Sequence, residues 1–470
     1  MSTFSSAPAF RDVLDLGIDI LRKRFPLRRS RHKTYLGDFQ VIISLFYMSI
    51  LRTHGYRNVL QHMAQDLGEA LGWDGHTPSA SALTQARGHV HADSLQGLVS
   101  FLYDDSTTAR ANPTLAYQGR RLLGVDGTRI ELPSDDRLRA AFHTNDHLRS
   151  ERPMPPQAGL VLLEDIGCRL PVAYRISTKR PDERACLLEM IEYIRPRDVV
   201  IADRGFPSRE VFRQIVGRDA DFIIRLPKNG FLGVDTFIQS GQSDGILTIE
   251  MADKKQQKAG VTEVLTVRLV RDEHLDEDGQ PRIIATSLLD VREHAHADIC
   301  FLYAKRWNTE TTYRELKIYA GLENLQARTK EGILQEIAAI IIFQTLLSRL
   351  EGELRADAKE TVSARATTYV KRAKTKQTPE ISVRTVQALE SPYRFNRKLI
   401  ATAVKYLLIH GINGDLVAAK RSLTISMDYL HRTKTKARPG RTASRMPVSA
   451  NARQKSLRRR KEKSLKKTGK

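Results

Sequence analysis

The chain has 470 residues, 41% of them hydrophobic and 28% charged, which supports a sizeable core and excludes a disordered or collagen-like polymer. At ~100–200 residues per domain, that length allows two or three domains. Lys and Arg number 76 against 54 Asp and Glu, leaving +22, a balance that suits an anionic partner.

The excess is unevenly spread. Residues 432–470 hold 16 Lys and Arg and one acid, Glu462, so this segment carries +15 and the other 431 residues +7. A solvated basic arm that attracts phosphate is the plainest reading of such a segment. Cys168, Cys186 and Cys300 lie far apart without a CxxC pair, which weighs against a disulfide framework or structural zinc and suits a reducing cytosol. None of the 13 histidines forms an HExxH arrangement, so no zinc site is expected. No basic-then-apolar signal pattern opens the chain, and the most apolar run, Ile337–Leu347, is too short to span a bilayer. A soluble intracellular protein with no membrane partner is therefore expected.

In chain order, residues 1–115 read as a helical N-terminal domain. Apolar spacing of three and four marks Asp38–Leu51 and Tyr56–Leu71, and Ser79 or Ser81 can cap a further helix through Arg87 and His91. Short helices with tight turns suit either a helix-turn-helix DNA reader or a plain helical bundle. The pattern changes near Arg121. Leu122–Leu132, Gly159–Ile166 and Leu170–Ile176 predict three strands, followed by a helix over Asp182–Ile194, a strand over Asp198–Ala202, a helix over Ser208–Val216 and a strand over Asp221–Leu226. That order predicts an α/β fold with a ribonuclease-H-like mixed sheet, its first part at 116–227. Residues 228–290 predict a β-rich insertion. The second part of the core, 291–351, opens with one long helix over Asp298–Tyr319 and continues with Lys330–Leu350. A helical C-terminal region (352–431) contains a helix over Arg397–His410, and the basic tail (432–470) is expected to be disordered. No internal repeat is present.

Two aspartates stand at informative places. Asp126 follows the apolar run Leu122–Val125 and precedes Gly127; Asp203 follows Val199–Ala202 and precedes Arg204–Gly205–Phe206. A carboxylate beside such apolar runs is costly to bury without a cation or a cleft. Either one alone could be a turn residue or a local ion pair. The long helix adds a third acid. At ~100° per residue, with Tyr303 at zero, Arg306 falls near 300°, Glu310 near 340° and Lys317 near 320°, a polar stripe about 60° wide. Arg306 and Glu310 could merely pair at i,i+4, but that leaves the tyrosine and the two strand aspartates unexplained.

Phosphoryl transfer explains the set together. Two Mg²⁺ ions about 3.5–4 Å apart polarise a scissile phosphate, activate water or a 3′-hydroxyl and stabilise the leaving oxygen. Three acids suffice, because Mg²⁺ keeps waters and substrate oxygens as ligands. Asp126 would bridge both ions, with Asp203 on one and Glu310 on the other. Arg306 and Lys317 would hold backbone phosphates, and Tyr303 would donate to a phosphate or stack on a base. Glu131, Asp135, Asp136, Glu164, Asp165 and Glu183 compete for the metal roles, with Glu164 and Asp165 the strongest substitutes.

The spacing Tyr303-x₂-Arg306-x₃-Glu310-x₆-Lys317 resembles the Y-R-E-K signature of DDE transposases of the insertion-sequence-four type. Asp126–Gly127–Thr128, Asp203–Arg204–Gly205–Phe206, Arg306–Trp307 and Glu323–Ala327 are similar to that family as well, and the resemblance spans roughly residues 80–350. It implies cut-and-paste transposition by a bacterial enzyme of the cytoplasm and nucleoid, with two Mg²⁺ or Mn²⁺ ions held by Asp126, Asp203 and Glu310. The implied partners are double-stranded DNA, as inverted terminal repeats and as target, and a second copy of the chain in a synaptic dimer. Trp307 is the candidate platform for a flipped base, or else a core tryptophan. A nuclease of the same fold without strand transfer, or a non-catalytic DNA-binding protein, is the alternative.

Overall fold

Helices form before residue 105 where the apolar spacing predicts them. α1 (Asp38–Leu51) is buried almost all round, whereas α2 (Tyr56–Leu71) buries the stripe Val59, Leu60, Met63, Leu67 and Leu71. α2 stops at Gly72, whose left-handed φ of 74° lets its N–H return to Glu69 O at 3.1 Å. Ser79 caps α3 (Ala80–Arg87) by accepting from Ala82 N, and α4 (Ala92–Asp104) follows. This computed structural model describes residues 35–51, 55–73, 75–104, 117–144, 154–178, 182–228, 230–252, 262–275, 280–357 and 393–436.

One eight-stranded sheet organises the molecule. Its strands are β1 (Leu122–Glu131), β2 (Gln157–Asp165), β3 (Leu170–Ser177), β4 (Val199–Ala202), β5 (Asp221–Arg225), β6 (Asp244–Glu250), β7 (Val264–Leu275) and β8 (Pro281–Thr286), in the spatial order β3-β2-β1-β4-β5-β8-β7-β6. β1, β4 and β5 run parallel, and all other neighbours are antiparallel. Three antiparallel strands leading into parallel ones with helical crossovers make the mixed, ribonuclease-H-like sheet that the strand order predicts. The β-rich insertion does not fold apart from it. β8 pairs with β5 through Ile223–Thr286, Ile224–Ala285 and Arg225–Ile284, so the insertion covers an edge that would otherwise stand open.

Helices cover both faces. α6 (Glu183–Leu188) and α7 (Arg209–Val216) pack on one, where Leu123 and Val125 of β1 meet Cys186, Leu187, Phe212 and Ile215. On the other face, α9 (His296–Ala304) brings Ile299, Leu302 and Tyr303 against Leu122, Val199 and Ile201. The predicted helix from Asp298 to Tyr319 is interrupted: α10 (Trp307–Tyr319) is separate from α9. Between them, the N–H groups of Lys305, Arg306, Asn308 and Thr309 reach back three residues instead of four, a tightened turn of 3₁₀ type.

α11 (Lys330–Asp357) is longer than the predicted Lys330–Leu350. Its Lys330–Gly352 stretch is apolar and long enough to cross a membrane, but 94% of the apolar window is buried within the fold. It is the central post of a helical core shared by α1, α2, α4 and α12 (Arg397–Ile412). α13 (Leu416–Thr433), absent from the sequence reading, covers the two residues at which the basic tail was expected to begin. Of that tail, residues 437–470 lie outside the described residues, as do 358–392 of the C-terminal region. Arg87, at the end of α3, faces inward and donates to Gln335 at 3.1 Å and Glu336 at 2.9 Å, so that helix end is committed to α11.

Candidate active site

The two aspartates are brought together by strand adjacency. Gly124 of β1 lies opposite Ile201 of β4 in a parallel pair. Asp126 is two residues beyond the first and Asp203 two beyond the second, so both carboxylates emerge at one level and on one face. That face is the one covered by α9. Past Ala202 the chain turns sharply: Gly205 N–H donates to Asp203 Oδ1 at 2.8 Å, and fully buried Phe206 anchors the turn.

Glu310 arrives from above on α10. A Cβ at Gly124 would stand 2.5 Å from Thr309 Oγ1, so only glycine lets the helix settle this closely on β1, one residue before Glu310. Three further anchors hold α10 there. The Tyr313 hydroxyl reaches the carbonyl oxygens of Asp126 (2.7 Å) and Leu160 (3.2 Å), and Thr312 donates to Glu164 Oε1 at 2.7 Å. Glu315 pairs with Arg169 Nη2 at 2.7 Å and with Arg397 Nε of α12 at 2.8 Å. Sequence reading missed these anchors. Their only sequence signal is that Thr312 and Glu315 are polar residues away from the stripe, while Tyr313 falls at its edge.

Arg306 links the carboxylates. Its Nη2 lies 2.6 Å from Glu310 Oε1 and its Nη1 3.5 Å from Asp126 Oδ2. Burial pushes the Asp126 carboxyl up to about 7. Arg306 and the Gly127 N–H oppose that rise, while the negative charges of Asp203 and Glu310 add to it. Arg306 thus pairs with two of the three acids named from the sequence, and the third, Asp203, acts on Asp126 through its charge.

The other residues of the stripe are differently placed. Tyr303 is only 4% exposed, its ring packed with Ile299 and Leu302. Burial raises its hydroxyl pKa; Arg306 and Arg225 oppose that rise and Asp203 adds to it. Trp307 is 57% exposed beside Arg306, with the guanidinium 6.0 Å from its ring, so it is not a core tryptophan. Lys317 sits two turns beyond Glu310, paired with Glu323 at 3.3 Å. The Glu323–Ala327 segment is a loop whose Gln326 N–H donates to Glu336 at 2.9 Å, the same carboxylate group that holds Arg87.

Of the competing acids, Glu164 is wholly buried under Thr312, and Asp165 accepts from Tyr103 at 2.9 Å and Gly167 N at 3.0 Å. Asp135 caps α5 (Asp136–Ala141), Asp136 opens it, and Glu131 is exposed. Only Glu183 approaches the centre. The histidine spacing is less clear-cut than the lack of HExxH implies, since His89/His91 and His294/His296 are His-x-His pairs. In the second pair the rings part company: His294 meets the Tyr117 hydroxyl at 3.0 Å, and His296 meets Asp244 at 2.6 Å.

Carboxylate oxygens alone are donors for hard divalent cations. Among the described residues, no three His, Cys, Asp or Glu side chains close into a ready-made metal cage. Mg²⁺ does not require one, because it retains waters and takes substrate phosphate oxygens. A carboxyl raised by burial and by two like charges is the kind of group a cation stabilises. Arg306 Nε is buried with no hydrogen-bond partner among the described residues, which leaves one guanidinium donor unspent.

A ribonuclease-H-like sheet with one acid within β1, a second just past the end of adjacent β4 and a third on a covering helix is the arrangement of a DDE domain. Residues 117–346 match the family model of the transposase DDE domain. The chain is similar to the DDE transposases of the insertion-sequence-four type: it is 22% identical over 272 residues to "Transposase InsG for insertion sequence element IS4" of Escherichia coli (strain K12). That alignment covers 57% of this chain and 60% of the relative. A solved piggyBac transposase synaptic complex with hairpin DNA has a TM-score of 0.39 and 8% identity, covering 96% of this chain and 88% of that one.

Proposed function

We propose that this protein cuts DNA at the ends of an insertion element and joins the freed 3′-ends to target DNA, using Asp126, Asp203 and Glu310 as ligands for two Mg²⁺ or Mn²⁺ ions. The observation that carries the proposal is that Arg306 bridges Asp126 and Glu310 while the charge of Asp203 acts on Asp126 from the adjacent strand. When bound, the ions would activate the attacking water or 3′-hydroxyl and stabilise the leaving oxygen. Asp126, between the other two acids, is the bridging candidate, with Asp203 on one side and Glu310 on the other. Arg306 sits where a charge-assisted bond to a phosphate would orient the scissile strand. Exposed Trp307 offers a stacking surface for a displaced base, and Lys317 a second phosphate contact. Tyr303 is left with only its hydroxyl as a phosphate donor, since its ring is buried.

Double-stranded element ends and target DNA are the proposed substrates, held by a synaptic dimer in a bacterial nucleoid. The proposed division of labour gives residues 1–115 to end recognition, 116–227 and 291–351 to chemistry, 228–290 to the insertion, 352–431 to helical support and 432–470 to electrostatic attraction. The test is incubation of the full chain with its own element ends, a target plasmid and Mg²⁺, scoring excision and joining. Glu310→Gln should abolish both while DNA binding and melting temperature persist. Retained turnover would refute the site, and cleavage without joining would favour a nuclease of the same fold.

A further inference from the structure

Glu183 opens α6 on the sheet face opposite α10, directly after the Asp182 cap, yet its side chain turns back toward the carboxylates. A Cβ on Gly127 would stand 2.6 Å from Glu183 Cδ, so the carboxylate lies over a position in β1 where no side chain blocks its path. A Cβ on Gly205 would meet Asp203 Oδ1 at 3.1 Å and Glu183 Oε2 at 3.4 Å, so the two acids face the same point. Among the described residues, no hydrogen bond or ion pair engages the Glu183 carboxylate. Asp203 is the largest charge acting on it, and Arg129 opposes that without pairing. A half-buried carboxylate held beside another with no partner is a repulsive arrangement that a folded chain retains only when something else compensates. Gly127 and Gly205, both in the motifs that carry the aspartates, are the residues that keep its approach open.

We propose that Glu183 is a fourth carboxylate of the metal site, acting with Asp203 on the ion that Asp203 holds, either directly or through a bound water. The proposal rests on the two-ion reading above. It gives the Asp203 side of the site two oxygen-donor groups from opposite faces of the sheet, balancing Glu310 on the other side.

Metal binding by the full chain without DNA tests it, read by Mn²⁺ calorimetry and by Mn²⁺ electron spin resonance for the wild type, Glu183→Gln, Asp203→Asn and Gly127→Ala. Glu183→Gln should weaken one of two Mn²⁺ sites by roughly tenfold or more and leave the melting temperature of the metal-free protein unchanged or higher. Gly127→Ala, which displaces the Glu183 carboxylate without removing it, should weaken the same site and add little when combined with Glu183→Gln. Wild-type affinity in Glu183→Gln, with a site lost in Asp203→Asn, would overturn the role of Glu183 alone. Mn²⁺ binding unaffected by Asp203→Asn would overturn the two-ion reading itself.

Discussion

The strand carboxylates and the helix carboxylate are fixed in two different ways. Asp126 and Asp203 owe their places to the backbone: parallel pairing of β1 with β4 sets their level, and N–H groups of Gly127 (2.9 Å) and Gly205 (2.8 Å) hold one oxygen of each. Glu310 has no such ladder. Its helix is located by side chains, through Thr312, Tyr313 and the charge network of Glu315, Arg169, Glu351 and Arg397. A sheet resists local change because every strand shares its bonds with neighbours. A helix held by a few buried polar contacts can be shifted by losing one of them. The helix side should therefore be the sensitive half of the site, far from the chemistry as well as near it.

Loss of the network should have the largest effect. Arg397→Ala removes one of the two cations, with Arg169, that half-buried Glu315 and buried Glu351 share, and should cost up to about 3–5 kcal/mol in urea unfolding. It should also lower cleavage, although Arg397 lies on α12 at the far end of Glu315. Full activity at temperatures where this variant is folded would show that α10 needs no such support. Gly124→Ala probes the helix–strand contact directly. The added methyl, 2.5 Å from Thr309 Oγ1, should cost about 1–3 kcal/mol and lift Glu310 from its partners, reducing cleavage by roughly tenfold or more. A variant that cleaves like the wild type would mean that the spacing of helix and strand is not critical.

Asp126 gives a smaller effect of opposite sign. Its folded pKa of about 7 lies above its unfolded value, so its contribution to stability is present in acid and is lost as pH rises through about 7. In chelator at pH 8, Asp126→Asn should therefore be more stable by about 1–3 kcal/mol, converging with the wild type at pH 4 and below. A less stable Asn variant at pH 8 would mean that the Arg306 contact outweighs burial. Removing residues 437–470 should leave stability unchanged while flattening the salt dependence of DNA affinity; an unchanged slope would remove the tail from the interface.

Much of this site was legible in the linear pattern. The apolar runs before Asp126 and Asp203 are strands, and the 3- and 4-residue spacing places Arg306 beside Glu310. The helical stripe was read less well. A uniform 100° per residue does not pass through the tightened turn at Lys305–Arg306, and Tyr303 proved to be a buried ring on a separate helix. Trp307 could be core or surface by its spacing alone, and only the packing of α10, which turns Thr309 onto β1, leaves Trp307 exposed. Glu164 and Asp165 stood as the strongest substitutes for the metal roles, because period-two alternation records the face of a strand but not what covers it.

What the sequence determined by itself was local: which segments are strands, where helices begin near Ser79 or Ser81, Asp182 and Ser208, and which acids sit beside apolar runs. Those features depend on neighbours a few residues away, whose dihedral preferences and periodicity are written in order along the chain. The tertiary structure decided which strands are adjacent, that β6–β8 extend the sheet instead of folding apart, and that Glu183 comes round from the opposite face to meet Asp203. Residues as far apart as Tyr313 and Asp126, 187 positions, meet there, and no local preference encodes such pairings. They arise from burying both faces of one sheet at once, and Gly124, Gly127 and Gly205 matter because of what comes close to them from elsewhere in the chain.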